Sequence, residues 1–136
     1  MQDQEETMLF PATRLGEVAV AAGAAGLDAL LLSPGPDLRY VTGYDAKQLE
    51  RLTCLVVPAQ GDPALFVPRL ELPAAQASPA GSLGLEVIPW EETADPFRLV
   101  AGRLGNVAAV GAHLPPSPTK KSEVSERFST PTLVFA

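Results

Sequence analysis

The spacing of apolar residues changes along the chain, and each spacing predicts a different element. Between residues 14 and 25, apolar side chains recur three and four positions apart, as in a helix with one buried face, and Gly26 suits the left-handed position that ends such a helix. Shorter uninterrupted apolar runs predict strands that are buried on both faces. The predicted helices are 14–25, a brief one that starts at Pro36 and ends at Gly43, 70–77 and Pro96–Leu104, and the predicted strands are 28–32, 52–57, 64–67, 85–88 and 107–110.

The order of these elements predicts how they pack. Strands 52–57 and 64–67 are joined by a connection rich in turn-forming residues, which indicates an antiparallel hairpin. The other strands alternate with helices, an arrangement typical of a sheet with helices on its faces. The sequence therefore predicts an α/β fold with a mixed sheet of about five strands flanked by helices.

Three regions differ in composition. Residues 1–12 are polar and acidic and predict a flexible N-terminal arm, whereas residues 13–111 contain all the elements above and predict one domain. Residues 112–136 contain 4 prolines and 7 serines or threonines, which is typical of an extended or disordered tail. Within that tail, only Thr132–Phe135 has the apolar character of a terminal strand.

Composition and charge limit the classes of partner. The chain has 136 residues and a formal net charge of −6, which opposes binding to nucleic acid or to anionic lipid. No segment approaches the roughly 20 apolar residues of a membrane span, and the acidic N-terminus does not resemble a secretory signal. We therefore expect a soluble, cytoplasmic protein that binds neither nucleic acid nor membrane.

The sequence contains few of the residues that catalytic sites usually require. The single histidine, His113, falls in the tail, where a solvated side chain is expected, and the single cysteine, Cys54, falls inside a strand, where a buried and inert thiol is expected. A zinc-type site or a nucleophile–histidine pair cannot be assembled from these two residues alone. Paired acids such as Glu91 and Glu92 lie in polar surroundings typical of a solvated surface. We predict no catalytic residue, no metal ligand and no cofactor for this chain.

The residues after the second predicted helix are the better candidates for contact with another molecule. Tyr40 is expected to lie in the core, because a short helix must bury one face. Tyr44 and Asp45 follow Gly43 in a polar loop, and together with Arg39 they are predicted to contact a ligand or partner, with an ordinary loop as the alternative. Trp90 ends a strand, and its indole is expected to cover the edge of the sheet or to line an interface.

Several segments in this order resemble one enzyme family. They are Arg14-Leu15, residues 25–32, the Leu-Arg-Tyr-Val-Thr-Gly-Tyr segment 38–44, the hairpin 53–67 with Pro68-Arg69-Leu70-Glu71, and the strand 87–90. Together they resemble the N-terminal domain of the creatinase/aminopeptidase P/prolidase metallopeptidases. The resemblance implies a ribonuclease H-like α/β domain that helps to form a dimer and walls the substrate entrance. In that family a second domain binds two divalent metal ions (Mn, Co or Zn) and cleaves the bond before proline.

The chain departs from the family pattern after Gly111, where the Pro/Ser/Thr-rich segment replaces the expected transition. No metal ligand of the family matches a position here, so the chain alone is predicted to be inactive. We expect a non-catalytic N-terminal domain of an Xaa-Pro peptidase-like protein, whose partner is a second copy or a peptidase catalytic domain. The alternative is a stand-alone α/β interaction or dimerisation module. Three origins fit: a truncated or frame-shifted peptidase, a naturally short protein, or an unrelated domain.

Overall fold

The computed structural model describes residues 11–47, 51–105, 109–113 and 132–135. The helices are α1 (Thr13–Ala24), α2 (Pro36–Thr42), α3 (Leu72–Ala77) and α4 (Pro96–Leu104), and the strands are β1 (Ala29–Leu32), β2 (Cys54–Pro58), β3 (Ala64–Pro68), β4 (Glu86–Trp90), β5 (Ala109–His113) and β6 (Thr132–Phe135). Single 3-10 turns, Arg69–Glu71 and Pro79–Ser82, flank α3. The predicted arm, except for its last two residues, and the tail residues 114–131 lie outside the described residues.

The strands form one mixed sheet in the order β4-β3-β2-β1-β5-β6. The pairs β1–β2 and β2–β3 are antiparallel, whereas β3–β4, β1–β5 and β5–β6 are parallel. The predicted α/β fold, with a mixed sheet flanked by helices, is confirmed. The sixth strand is the terminal segment Thr132–Phe135.

Side chains alternate between the two faces of the sheet, and each face has its own core. In β2, Cys54 and Val56 point to the face covered by α4, while Leu55 and Val57 point to the face covered by α1, α2 and α3. All four are at most 4% exposed. The continuous apolar runs in the sequence therefore reflect strands that are covered on both faces.

Two helix ends follow from local sequence. Gly26 has a φ of 80°, and its N–H donates to the Gly23 carbonyl at 3.0 Å, while the Leu27 N–H donates to the Ala22 carbonyl at 2.9 Å. This pair of bonds is the Schellman arrangement, which satisfies carbonyls left open at the end of a helix. At the start of α4, the Asp95 carboxylate accepts a hydrogen bond from the Phe97 N–H at 3.1 Å. Both ends confirm the predictions.

Two strand boundaries differ from the predictions. Pro89 lies inside β4 instead of ending it, which is tolerated because β4 is an edge strand and a missing N–H there need not remove a ladder bond. The last strand of the predicted domain, expected to end at residue 110, continues to His113, whose backbone pairs with Leu32 in the sheet. The expectation that His113 belongs to a solvated tail is therefore wrong for its backbone.

Candidate functional site

One end of the sheet collects the chain segments that the sequence singled out. Strands β1, β3, β4 and β5 all end there and β2 begins there, as shown by the pairs Leu32–His113, Leu32–Leu55 and Pro68–Trp90. We call this the carboxyl end of the sheet. In open α/β sheets, ligands bind at the carboxyl ends of the strands. The carboxyl end is therefore the candidate functional site.

Thr42 and Gly43, at the end of α2, use their hydrogen-bonding groups to fix the path of the backbone. Thr42 is fully buried, and its hydroxyl donates to the Leu38 carbonyl at 2.8 Å and accepts from the Tyr44 N–H at 3.1 Å. Gly43 has a φ of 78°, a conformation that favours glycine, and its N–H donates to the Arg39 carbonyl at 2.7 Å. These bonds reverse the chain at the end of α2.

Tyr44 lies in the core, where its hydroxyl meets a charged group. Its side chain is only 4% exposed and packs among the residues beneath α1, α2 and α3. Its hydroxyl forms a hydrogen bond with the Glu71 carboxylate, and burial, with a smaller effect of that charge and that bond, raises the pKa of Tyr44 above 10. The expectation that Tyr44 stands in an open polar loop is wrong. Asp45 and Arg39 are exposed, and their contact role stays a prediction.

Replacing Tyr44 with phenylalanine tests the Tyr44–Glu71 bond. We expect a loss of about 1 kcal/mol in the free energy of unfolding at pH 7, since the bond to Glu71 is lost while the ring is kept. Because the folded pKa is raised, the contribution of Tyr44 is fully present below pH 10 and is lost as the pH rises further. Urea unfolding between about pH 7 and 11 should therefore show a smaller alkaline loss in the variant. An identical pH dependence in both proteins would contradict the raised pKa of Tyr44, whose main cause is burial.

Tyr40, and not Tyr44, is the exposed tyrosine of this segment. It is 60% exposed, because α2 buries Leu38, Val41 and Thr42, which lie three and four positions apart on the opposite side. The Arg14 guanidinium lies 4.0 Å from the centre of the Tyr40 ring and donates to the Tyr40 carbonyl at 2.7 Å. The prediction of a core Tyr40 is therefore wrong.

Trp90 closes the end of the edge strand β4. Its indole is 7% exposed, packs in the core beneath α4, and donates its Nε1–H to the Leu52 carbonyl at 2.8 Å. The side chain thus ties the end of β4 to the segment that leads into β2. An indole this deeply buried has little surface with which to line an interface, so of its two predicted roles the structure favours the covering of the edge.

Leu70 was missed by the sequence-based reasoning, which placed it at the start of a helix. It is 75% exposed on the 3-10 turn after β3. Both of its neighbours are held, since Arg69 pairs with Glu91 at 3.5 Å and Glu71 bonds to Tyr44. The sequence does contain a signal for an exposed Leu70, because this leucine lies between two charged residues directly after a buried strand. The result is an apolar side chain presented at the carboxyl end by a turn that is tied on both sides.

The two glutamates that follow β4 are solvated, as predicted, and each pairs with an arginine. Glu92 pairs with Arg51, which precedes β2, and Glu91 pairs with Arg69. Side-chain exposures of 44–66% mean that each pair contributes about 1 kcal/mol or less. Both pairs join segments at the carboxyl end of the sheet, and one of them includes Arg69, the residue before Leu70.

The described residues do not contain a group of side chains that could hold a metal ion. Within residues 11–47, 51–105, 109–113 and 132–135, no three His, Cys, Asp or Glu side chains converge as metal ligands would. Cys54 is 4% exposed, and burial raises the pKa of its thiol to about 12, so the reactive thiolate is suppressed at neutral pH. The buried, inert thiol is confirmed. Among the described helices, none is long and apolar enough to cross a membrane.

The opposite end of the sheet carries a half-open cleft of about 750 Å3 between the end of α1, the β2–β3 turn and the end of α4. Arg103 borders this cleft and donates to the Asp62 carbonyl at 3.2 Å, while pairing with Glu86 at 2.9 Å. That guanidinium is already held by protein oxygens. The carboxyl end therefore remains the better candidate.

Comparison with known proteins agrees with this geometry. Residues 14–129 match the model of the creatinase/prolidase N-terminal domain. The probable dipeptidase PepE of Mycobacterium tuberculosis is 46% identical over 101 residues, which are 74% of this chain and 27% of that protein. The crystal structure of dipeptidase PepE from Mycobacterium ulcerans superposes with a TM-score of 0.79 at 38% identity, over 90% of this chain and 33% of that one.

An isolated domain gives a second view of the fold. The creatinase/prolidase N-terminal domain of an X-Pro dipeptidase from Streptococcus pyogenes has a TM-score of 0.71 and 22% identity, and the match covers 91% of this chain and 99% of that one. This chain thus spans about a third or less of the full-length PepE relatives it matches, while it spans nearly all of an isolated N-terminal domain. The chain belongs to the creatinase/prolidase N-terminal domain family.

Proposed function

We propose that this chain serves as the non-catalytic N-terminal domain of a proline-specific metallopeptidase-like protein, where it shapes the substrate entrance and supports a homodimer. The observation that carries the proposal is the turn after β3, which presents Leu70, 75% exposed, at the carboxyl end. Asp45 and Lys47 are also exposed, on the segment that follows α2. Membership of the creatinase/prolidase N-terminal family and the similarity to mycobacterial dipeptidases support it.

The anatomy of the carboxyl end suits a surface that another domain covers. An exposed apolar side chain flanked by the charged Arg69 and Glu71 resembles the usual interface pattern of an apolar centre with a polar rim. The turn that carries Leu70 is held through Arg69 and Glu71, so little conformational entropy remains to be lost on docking. Asp45 lies two residues beyond the Gly43 reversal and faces solvent, where it can meet a substrate or the neighbouring domain.

Metal chemistry is assigned to the partner domain in this proposal. Two divalent ions of the Mn, Co or Zn type require several convergent carboxylate and histidine ligands. The described part of this chain offers no such group, so its residues do not fit a two-metal centre. The role left to this chain is to bind, orient and enclose.

The purified chain with Mn or Co and an Xaa-Pro dipeptide is expected to show no hydrolysis above the buffer rate. The described residues supply no metal-ligand group, and Cys54 is buried as a thiol. Ninhydrin or chromatographic detection of released proline measures the rate, and the X-Pro dipeptidase of Streptococcus pyogenes is the positive control. Metal-dependent turnover by this chain, abolished by a chelator, would refute the non-catalytic role.

Complementation tests the entrance role directly. A PepE variant without its N-terminal domain is mixed with this chain, and we expect the chain to raise kcat/KM for a dipeptide that full-length PepE cleaves. Leu70→Asp should reduce that gain, since it places a charge at the apolar centre of the carboxyl end. Leu99→Asp is the control, because Leu99 is 40% exposed on α4, which covers the face of the sheet opposite to α3. Equal losses from both substitutions would argue against a role for this surface.

A stand-alone dimerisation module is the second candidate function. It is favoured by α1, whose side facing away from the sheet is mostly small or apolar. A chain that dimerises but neither binds nor activates the truncated PepE would support this candidate over the first.

A further inference from the structure

The segment that follows α2 presents its charged side chains on one side. Tyr44 and Ala46 pack into the core beneath α1, α2 and α3. Asp45 and Lys47 alternate with them and are exposed, and neither forms an ion pair within the described part of the chain. This alternation is that of an extended chain, in which side chains two positions apart point the same way, about 7 Å from each other. An acid and a base therefore stand side by side and are available to another molecule.

The inward-facing Tyr44 fixes the orientation of this segment, and Glu71 holds Tyr44. The Tyr44 hydroxyl donates a hydrogen bond to the Glu71 carboxylate, and the Tyr44 side chain is only 4% exposed. A hydrogen bond to a charged group is stronger than one between neutral groups, and it is stronger still away from water. Glu71 belongs to the 3-10 turn that also presents Leu70. The bond therefore joins the segment after α2 to the Leu70 turn.

A second set of contacts holds the other end of the segment, where it enters β2. The Trp90 indole donates to the Leu52 carbonyl at 2.8 Å, and Arg51 pairs with Glu92. Trp90 is 7% exposed, so its hydrogen bond is sheltered from water, whereas the ion pair is exposed and contributes little. Both contacts attach this end of the segment to the end of β4.

The two anchors are themselves connected. Strands β3 and β4 are parallel neighbours, so the Leu70 turn and the end of β4 lie side by side, and Arg69 pairs with Glu91 between them at 3.5 Å. The segment between α2 and β2 is therefore held at both ends by one continuous part of the carboxyl end. Holding both ends lowers the number of conformations open to the residues near them, so less entropy is lost when a ligand binds.

We propose that Glu71 is a positioning residue: through Tyr44, it holds the adjacent pair of opposite charges in place for the charged ends of a short peptide. That pair, Asp45 and Lys47, can meet the ammonium and carboxylate groups of a peptide whose ends are free. The inference rests on the entrance role in the proposed function and adds the contact that keeps the entrance surface in shape. Glu71 acts through Tyr44 and does not itself touch the ligand.

Nuclear magnetic resonance relaxation of the full 15N-labelled chain tests the positioning role. We expect backbone order parameters of about 0.85 at residues 45–47 in the unmodified chain, and values below about 0.6 in Glu71→Ala. Glu71→Gln should keep the high values, since an amide oxygen also accepts the Tyr44 hydrogen bond. Glu86→Ala is the control, because it removes a glutamate that pairs with Arg103 at 2.9 Å, at the opposite end of the sheet.

The complementation assay extends the same variants to function. Glu71→Ala should reduce the gain in kcat/KM about fivefold, chiefly through a raised KM, because a misplaced pair of charges weakens binding more than it changes the chemical step. Tyr44→Phe breaks the same bond and should have the same effect, and the double variant should lose no more. Glu71→Gln and Glu86→Ala should keep the gain.

Several results would overturn the proposal. Order parameters at residues 45–47 that are low in the unmodified chain, or that do not change in Glu71→Ala, remove the positioning role. A fall throughout the domain in Glu71→Ala makes the bond a general support of the fold, and circular dichroism establishes whether each variant is folded. Equal losses in Glu71→Gln and Glu71→Ala assign the effect to the charge instead of the bond. If the unmodified chain gives no gain in kcat/KM, the entrance role fails, while the order parameters still decide whether Glu71 positions the segment.

Discussion

Replacing Leu65 with alanine is expected to lower the free energy of unfolding by about 2–5 kcal/mol. Leu65 is fully buried in β3 and lies between Leu55 of β2 and Val87 of β4 in the sheet. Its side chain belongs to the core beneath α1, α2 and α3, so truncation removes apolar contacts and leaves a cavity that the sheet cannot close. Domains of this size are typically stable by only about 5–15 kcal/mol, so the loss would be a large part of the total.

Leu70→Ala is the matched control for that experiment. The same residue type lies five positions further along the chain but is 75% exposed, so we expect a change within about 0.5 kcal/mol. Urea unfolding followed by circular dichroism measures both variants. Similar losses in the two variants would mean that β3 is not placed in the sheet as described.

Replacing Gly81 with alanine is the second large expected effect, with a loss of about 3 kcal/mol, at the upper end of overpacking penalties. A Cβ atom on Gly81 would lie 2.1 Å from the carbonyl oxygen of Gln76 and 2.9 Å from its carbonyl carbon. Both are backbone atoms of α3, so no side-chain rotation can relieve the contact. Either the 3-10 turn Pro79–Ser82 or the end of α3 must shift.

A second glycine-to-alanine substitution, Gly102→Ala, is expected to stabilise the protein where Gly81→Ala destabilises it. Gly102 lies inside α4, and a Cβ atom there would meet nothing within 4 Å. Alanine should therefore stabilise the protein by about 0.5–1 kcal/mol, because it restricts the unfolded chain and favours the helix. Thermal unfolding should give midpoint shifts of opposite sign for the two variants. A neutral Gly81→Ala would contradict the close approach of the turn to α3.

The segment that carries the strongest family resemblance has a structural role in this chain. From sequence, Tyr44 is predicted to contact a ligand or partner, together with Arg39 and Asp45. Yet the Thr42 hydroxyl, the Gly43 backbone and the Tyr44 ring are all used within the domain. Their role is to reverse the chain after α2 and to tie it to Glu71. In the proposed function, the surface offered to another molecule is formed by exposed residues instead, among them Asp45 and Leu70.

The elements themselves were accessible from sequence because their causes are local. Apolar spacing, the glycine at position 26 and the Asp95-Pro96 start signal depend on residues within one or two turns of each other. Short continuous apolar runs identified the buried strands for the same reason. Boundaries such as that of β4 moved by a few residues, since Pro89 is tolerated only because β4 is at the edge of the sheet.

The choice between Tyr40 and Tyr44 shows where sequence reasoning stops. Helix α2 is short, and its sequence leaves open which side faces the core. Packing buries Leu38, Val41 and Thr42, which turns Tyr40 outward, and the chain reversal at Gly43 then carries Tyr44 inward. The partner of Tyr44 is Glu71, 27 residues away in the chain, so no local pattern contains this information.

The sequence by itself determined the α/β class, most helices and strands, the buried Cys54 and the family. These follow from local spacing and from motifs whose residues are neighbours in the chain. Only the tertiary structure decided that β1 lies between β2 and β5, that Tyr44 is buried, and that Leu70 and Val20 are left exposed on separate surfaces. Burial depends on which distant segments meet across the sheet, and the free energy of that packing is a property of the whole fold.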